Sequence, residues 1–221
     1  MTRTRRTILK SCLLAVLLNI GTAAAATPGQ VASFFRAVQV DNVSAVKEMA
    51  GKTINPNEIN PVGGEPALVL AVREGAMRVF DALLLHPGID LEAQAMTGNT
   101  ALMMAAFKNN RRAADALLAR GAKVNRAGWT PLHYAAAAGS EDIARLLIAR
   151  KAKLDALSPK QSGAYTPLMM AAREAQPGMV RLLLEGGADP ALTNTEGLTA
   201  AQIAERAGQA DIAAAIAGFK R

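Results

Sequence analysis

Two histidines, two methionine pairs and one glycine pair are the residues whose types suggest chemistry, and none stands in the company that chemistry requires. His86 and His133 are the only histidines, and the one cysteine, Cys12, sits near the start of the chain. A zinc site needs three or four Cys, His or carboxylate ligands converging on one ion, so no metal is expected. Nucleophilic catalysis needs a nucleophile, a base in reach of it and a group orienting that base. No such set is visible, so no catalytic residue is assigned. Gly63-Gly64 lacks the Lys and Ser/Thr that complete a phosphate-binding loop. Met103-Met104 and Met169-Met170 have the look of a metal-binding methionine cluster, but methionine is a common filler of apolar gaps, and core packing is the better reading. The expectation is a protein that is not an enzyme and has no cofactor.

The elements carrying these residues repeat. Thr130-Pro131-Leu132-His133-Tyr134-Ala135-Ala136 has counterparts at Thr100-Ala101-Leu102-Met103-Met104-Ala105-Ala106, Thr166-Pro167-Leu168-Met169-Met170-Ala171-Ala172 and Thr199-Ala200-Ala201-Gln202-Ile203-Ala204. A degenerate copy is Pro66-Ala67-Leu68-Val69-Leu70-Ala71. Positions 66, 100, 130, 166 and 199 are separated by 34, 30, 36 and 33 residues. Each residue type has a role in a helix that opens there. Threonine can accept from an unpaired first-turn amide, proline suits the first helical position, leucine points into a stack, and alanine lets helices lie close. Eight positions on from the leucine, counted inclusively, stand Gly75, Asn109, Gly139, Ala175 and Gly208, four of them residues that tolerate a tight turn before a second helix.

A helix-turn-helix unit with a Thr-Pro-Leu-His-x-Ala opening and a period near 33 residues resembles the ankyrin repeat family. The resemblance covers nearly all of the chain after residue 30. It implies an all-α fold, an ankyrin repeat solenoid of stacked helix pairs with β-turn fingers, and gives His133 the role of a hydrogen bond between repeats. His86, in a turn after a helix, reads as a solvated cap. The expected organisation is an N-terminal cap at 31–60, repeats at 64–95, 98–127, 128–160 and 163–195, and a C-terminal cap at 196–221. The cap begins with a helix over Val31–Val40, preceded by a linker at residues 27–30.

The first 26 residues read differently. Arg3, Arg5, Arg6 and Lys10 precede an apolar run from Cys12 to Ile20, which ends in Ala23-Ala24-Ala25-Ala26. A basic start, a short apolar middle and an Ala-x-Ala end describe a secretory signal peptide, cleaved after Ala26. The run is shorter than the roughly 20 residues a spanning helix needs, although an uncleaved anchor is the alternative. The expected location is the bacterial periplasm, with full secretion as the other destination and no membrane attachment after cleavage. Four of the 25 Lys plus Arg lie in this segment, leaving 21 against 18 Asp plus Glu. The formal charge of +7 is thus partly a property of the targeting segment, and no basic stripe with interleaved aromatics argues for nucleic acid. The mature chain holds no cysteine and needs no disulfide.

Two connections depart from the period. The stretch from Asn125 to Thr130 is about three residues short and that from Asp155 to Thr166 about three long, by comparison with the family repeat. Insertions in such arrays map to loops, often on the binding face; neutral drift is the other reading. A third departure is Lys151, which stands where Gly121 and Gly187 follow the second helices of their units. A left-handed conformation is expected at that position, and it is strained for lysine.

Ankyrin arrays bind through finger tips and the exposed side of each first helix, so the resemblance implies a protein partner of unknown identity, bound on the concave face of a monomer. The groove-facing positions are the residue before each signature threonine and the pair before each inter-helix turn. The candidate binding residues are Phe107, Trp129 and Tyr165 at the centre, over Ala137-Ala138, with Arg73, Glu74, Lys108, Arg173 and Glu174 as the charged rim. Three of the chain's eight aromatics fall on this face, the anatomy of a hot spot. The bland alternative is that Trp129 and Tyr165 only shield their finger bases. A second functional class, an envelope stress-protective or immunity-type factor without one fixed partner, is separated from the first by whether capture is specific and stoichiometric.

Overall fold

The computed structural model describes residues 26–220. The signal peptide expected over residues 1–26 therefore lies outside the described residues except for Ala26. Twelve α-helices form six consecutive pairs among the described residues: α1 (Pro28–Gln39) with α2 (Val43–Met49), α3 (Ala67–Glu74) with α4 (Met77–Leu84), and α5 (Ala101–Phe107) with α6 (Arg111–Ala119). The remaining pairs are α7 (Pro131–Ala138) with α8 (Glu141–Ala149), α9 (Pro167–Arg173) with α10 (Pro177–Glu185), and α11 (Ala200–Arg206) with α12 (Ala210–Ala217). First helices stack on first helices and second on second. No strand occurs among the described residues; the connecting fingers hold only isolated bridges, such as Ile59 with Pro66 and Thr193 with Thr199. The fold is an all-α repeat solenoid.

The helices form where the residues favour them. Thr100, Thr166 and Thr199 are N-caps whose hydroxyls accept from the amides of Met103, Met169 and Gln202 at 3.4, 3.2 and 3.4 Å. Each first helix ends in the same way. The amides of Asn42, Ala76, Asn110, Ser140, Gln176 and Gln209 donate to the carbonyls of Ala37, Ala71, Ala105, Ala135, Ala171 and Ala204 at 2.8–2.9 Å, the six-to-one bond of a Schellman turn. That turn needs a left-handed residue, and the six are Asp41, Gly75, Asn109, Gly139, Ala175 and Gly208. Ala175, at φ 55°, is the one with neither a glycine's freedom nor a side-chain amide or carboxylate to help it.

The cores of the pairs merge into one apolar column that includes Phe34, Leu68, Phe80, Leu102, Leu117, Leu132, Ile143, Leu147, Leu168 and Leu183, each 2% exposed or less. Met103 and Met169 are buried within the stack and Met104 and Met170 nearly so, as a packing role requires. Side chains also tie each finger to the next. Asn57 donates to the Gly88 carbonyl and accepts from the Asp90 amide, both at 2.8 Å. Glu92 accepts from the Lys123 amide at 2.8 Å and Asp155 from that of Asp189 at 2.9 Å. Asn125 donates to the Lys151 carbonyl and accepts from the Lys153 amide, again at 2.8 Å.

The start of α1 corrects the sequence reading. Residues 27–30 are not a linker: Thr27 is the N-cap, Pro28 is the first helical residue, and Gln30 closes a capping box in which the Thr27 amide donates to its Oε1 at 2.8 Å. Lys151 is left-handed as expected, at φ 65°. The long connection after Asp155 is ordered by a 3-10 turn over Lys160–Ser162. No helix among the described residues is long and apolar enough to cross a membrane.

Candidate functional site

At the centre of the array the first turn of α7 is built around His133. Its Nδ1 faces the Thr130 amide at 3.2 Å and the Thr130 hydroxyl at 2.9 Å, while Nε2 lies 2.9 Å from the Tyr165 carbonyl of the following unit. The amide can only donate, so Nδ1 carries no proton; the proton is on Nε2, which donates to Tyr165. Burial drives the ring's pKa from 6.5 down to about 4, against the raising effect of its hydrogen bonds to backbone carbonyls. The imidazole is thus neutral, held at both nitrogens, and structural.

Above this histidine three more rings converge. Trp129 meets His133 edge to face at 5.3 Å between centroids, and Tyr134 stands 6.3 Å from both Trp129 and Phe107, near-perpendicular to each. The Tyr134 hydroxyl donates to the Asn99 side-chain oxygen of the preceding unit. Burial pushes its phenol above the ordinary value, with the nearby Arg126 guanidinium opposing. Phe107, Trp129, His133, Tyr134, Ala137, Met170, Arg173 and Glu174 enclose a hollow of about 330 Å³. Phe107 is half-exposed at 50%.

Four of the candidate residues, Phe107, Trp129, Arg173 and Glu174, thus meet in one hollow. Tyr165 belongs to its neighbour, a smaller hollow of about 210 Å³ shared with Arg173, Leu198 and Arg206. Arg173 divides the two: its Nε is 2.8 Å from Glu174 and its guanidinium carbon 5.1 Å from the centre of the Tyr165 ring. Arg73, Glu74 and Lys108 line neither. Arg73 bridges Glu74 at 2.8 Å and Glu65 at 2.7 Å, and Glu65, placed by its sequence position on the groove, is only 8% exposed. Desolvation raises the Glu65 pKa, Arg73 lowers it and Glu74 raises it.

Tyr134, the ring that joins the other two, was not among the candidates. Its signal lay in helical spacing: residues three apart share a face, so Tyr134 accompanies Ala137 into the groove. Arg126 was missed as well, being on the shortened turn. Among the described residues no group of three or more His, Cys, Asp or Glu is arranged to hold a metal ion. The arrangement suits contact with another molecule; it offers no paired acid and base.

Comparison with known proteins agrees with this geometry. A family model described as ankyrin repeats (3 copies) matches residues 34–127 and, overlapping, 68–158, and one described as ankyrin repeats (many copies) matches 159–204. The transient receptor potential cation channel subfamily A member 1 of Homo sapiens is 30% identical over 163 residues, covering 69% of this chain and 14% of its own length. The ankyrin repeat and KH domain-containing protein mask-1 of Caenorhabditis elegans is 36% identical over 53% of this chain, and the neurogenic locus notch homolog protein 2 of Homo sapiens 30% identical over 66%. This chain spans only 5% and 7% of those two, a small part of each.

Proposed function

Since the chain belongs to the ankyrin repeat family, a family generally made of non-enzymatic interaction modules, we propose that it is an exported binding protein that captures a partner protein on its concave face, at the hollow between Phe107, Tyr134 and Trp129. One observation carries this reading. Three rings crowd one hollow at the centre of the array, and one of them, Phe107, is half-exposed, whereas the column behind them is closed by buried apolar side chains such as Leu132 and Leu168. A desolvatable aromatic centre is what concentrates binding energy in protein interfaces. The charged pair Arg173–Glu174 at the rim fits a role in orienting the encounter rather than in affinity. Export to the periplasm rests on the signal-like first 26 residues.

The test has two parts. N-terminal sequencing of the periplasmic fraction is expected to start at Thr27, within a residue or two; a chain retaining Met1 in the membrane fraction refutes export. Calorimetric titration against the partner co-purified from that fraction is expected to weaken by about 2 kcal/mol or more for Trp129→Ala, with the thermal midpoint recorded to separate binding from fold. Unchanged affinity in Trp129→Ala and Phe107→Ala moves the site off this face.

A further inference from the structure

The charge around the central hollow is not balanced as it is along the rest of the groove. Arg73 is answered by Glu65 and Glu74, Arg173 by Glu174, and Arg206 by Glu196 at 2.5 Å. Among the described residues, Arg126 and Lys108 form no ion pair with a carboxylate. Arg126 stands three residues before Trp129, near enough to Tyr134 for its charge to act on the phenol. Its Nη1 is buried without a hydrogen-bond partner, and a buried unmet donor on a cation is a costly feature in a folded chain. Lys108 directly follows Phe107 and is exposed.

We infer that the hollow takes an acidic protein segment, with an aromatic or large aliphatic side chain seated among Phe107, Tyr134 and Trp129 and flanking Asp or Glu carboxylates reaching Arg126 and Lys108. This rests on the concave-face reading above and adds the chemistry of the partner. A cationic side chain would gain the ring faces but would meet Arg173 in the lining and Arg126 beside Tyr134, where the one lining carboxylate, Glu174, is already engaged by Arg173. A nucleic acid strand would call for a line of cations tracking its backbone. Arg126 near Tyr134 and Lys108 next to Phe107, neither in an ion pair among the described residues, match a short acidic stretch instead, and charge-assisted, bidentate pairing with carboxylates is what a guanidinium does best.

Trp129 is the chain's only tryptophan, so its fluorescence reports directly on the hollow. The full chain is titrated with capped pentapeptides: Glu-Asp-Phe-Asp-Glu, its neutral counterpart Gln-Asn-Phe-Asn-Gln, its charge-reversed counterpart Lys-Lys-Phe-Lys-Lys, and Glu-Asp-Ala-Asp-Glu. The acidic phenylalanine peptide is expected to give a saturable change, with the charge-reversed and alanine peptides weaker by about tenfold or more and the preference reduced by added salt. Arg126→Gln and, independently, the surface change Lys108→Gln are expected to narrow the gap between the acidic and neutral peptides by weakening the acidic one. Equal or tighter binding of the basic peptide overturns the inference, as does an acidic preference that survives both substitutions, tighter binding of a single-stranded oligonucleotide, or no saturable response to any peptide. The two readings fail separately. Loss of partner affinity in Trp129→Ala with no acidic preference refutes this inference alone, whereas unchanged partner affinity refutes the concave-face reading beneath it.

Discussion

Lowering the pH should unlatch the central repeat through His133, and the size of the effect follows from the geometry. The ring is 1% exposed, accepts at Nδ1 from the Thr130 amide and donates from Nε2 to the Tyr165 carbonyl. A second proton would turn Nδ1 into a donor facing a donor and place a charge in the core. Burial accordingly sets the folded pKa at about 4 against an ordinary 6.5. The sign is that of a base with a depressed folded pKa: the unfolded chain binds more protons, so stability is full above 6.5 and is lost as pH falls from there to about 4. Linkage across that window gives a loss of about 2 kcal/mol between pH 7 and pH 5, approaching about 3 kcal/mol near pH 4. Glu65, whose folded pKa is raised, works in the opposite direction and becomes less destabilising as pH falls. The informative quantity is therefore the difference between the native chain and His133→Gln. Urea denaturation of both at pH 7 and pH 5 is expected to show that difference shrinking by about 2 kcal/mol. An NMR titration of the His133 ring in the folded protein checks the cause. A stability difference independent of pH, or a ring that protonates near 6.5, refutes a buried, neutral, doubly bonded histidine.

Leu132→Ala should destabilise by about 2–5 kcal/mol, because Leu132 is 1% exposed in a central unit and both neighbouring units close over it; a loss under about half a kcal/mol in denaturant unfolding means the site collapses or the column is loose. Lys151→Gly should stabilise by about 0.5–1 kcal/mol, since a left-handed lysine costs about 1–2 kcal/mol and glycine gives back part of that in unfolded-state entropy. Thermal and urea midpoints measure it, and a decrease in both refutes strain at Lys151.

The fold was legible because each unit repeats its instructions. Thr100, Thr130, Thr166 and Thr199 mark helix starts, and Gly75, Gly139 and Gly208 mark the turns. Helices open directly after those threonines and close at or beside those glycines; the first start reads differently, because Thr27-Pro28-Gly29-Gln30 resembles a linker in composition yet satisfies the capping-box pattern with Gln30. The site was less legible, for a physical reason. A position's place in the period says which way its side chain leaves the backbone, and Phe107, Trp129 and Arg173, so placed, line one hollow. It does not say how far a long side chain reaches or what it pairs with. Arg73 turns aside to the buried Glu65, Arg173 lies across Tyr165 and splits the groove in two, and Tyr134 fills the gap between two rings that would otherwise stand apart. These outcomes depend on partners between five and 27 positions away, whose distances the sequence does not carry.

The short and the long connections, which look like two unrelated departures from the period, are one feature in three dimensions. Gly128 on the short turn is left-handed, at φ 76°, and a β-carbon there would come within 3.2 Å of the Pro159 ring from the long loop. The loop is in turn fixed at Ser158, whose amide donates to the Tyr165 carbonyl and whose hydroxyl accepts from the Tyr165 amide, both at 2.9 Å. The same carbonyl receives the Nε2 proton of His133. The insertion, the shortened turn and the signature histidine therefore converge on the Tyr165 peptide unit, with Trp129 one residue from Gly128 on one side and the Tyr165 ring on the other. Removing residues from one turn leaves room that the added residues of the next turn fill. The two fingers brace each other, and the backbone beside Trp129 and at Tyr165 is held by hydrogen bonds rather than left to side-chain packing alone. Rings so fixed would lose little further freedom if a partner docked at the proposed site, which is the condition under which buried aromatic area becomes affinity.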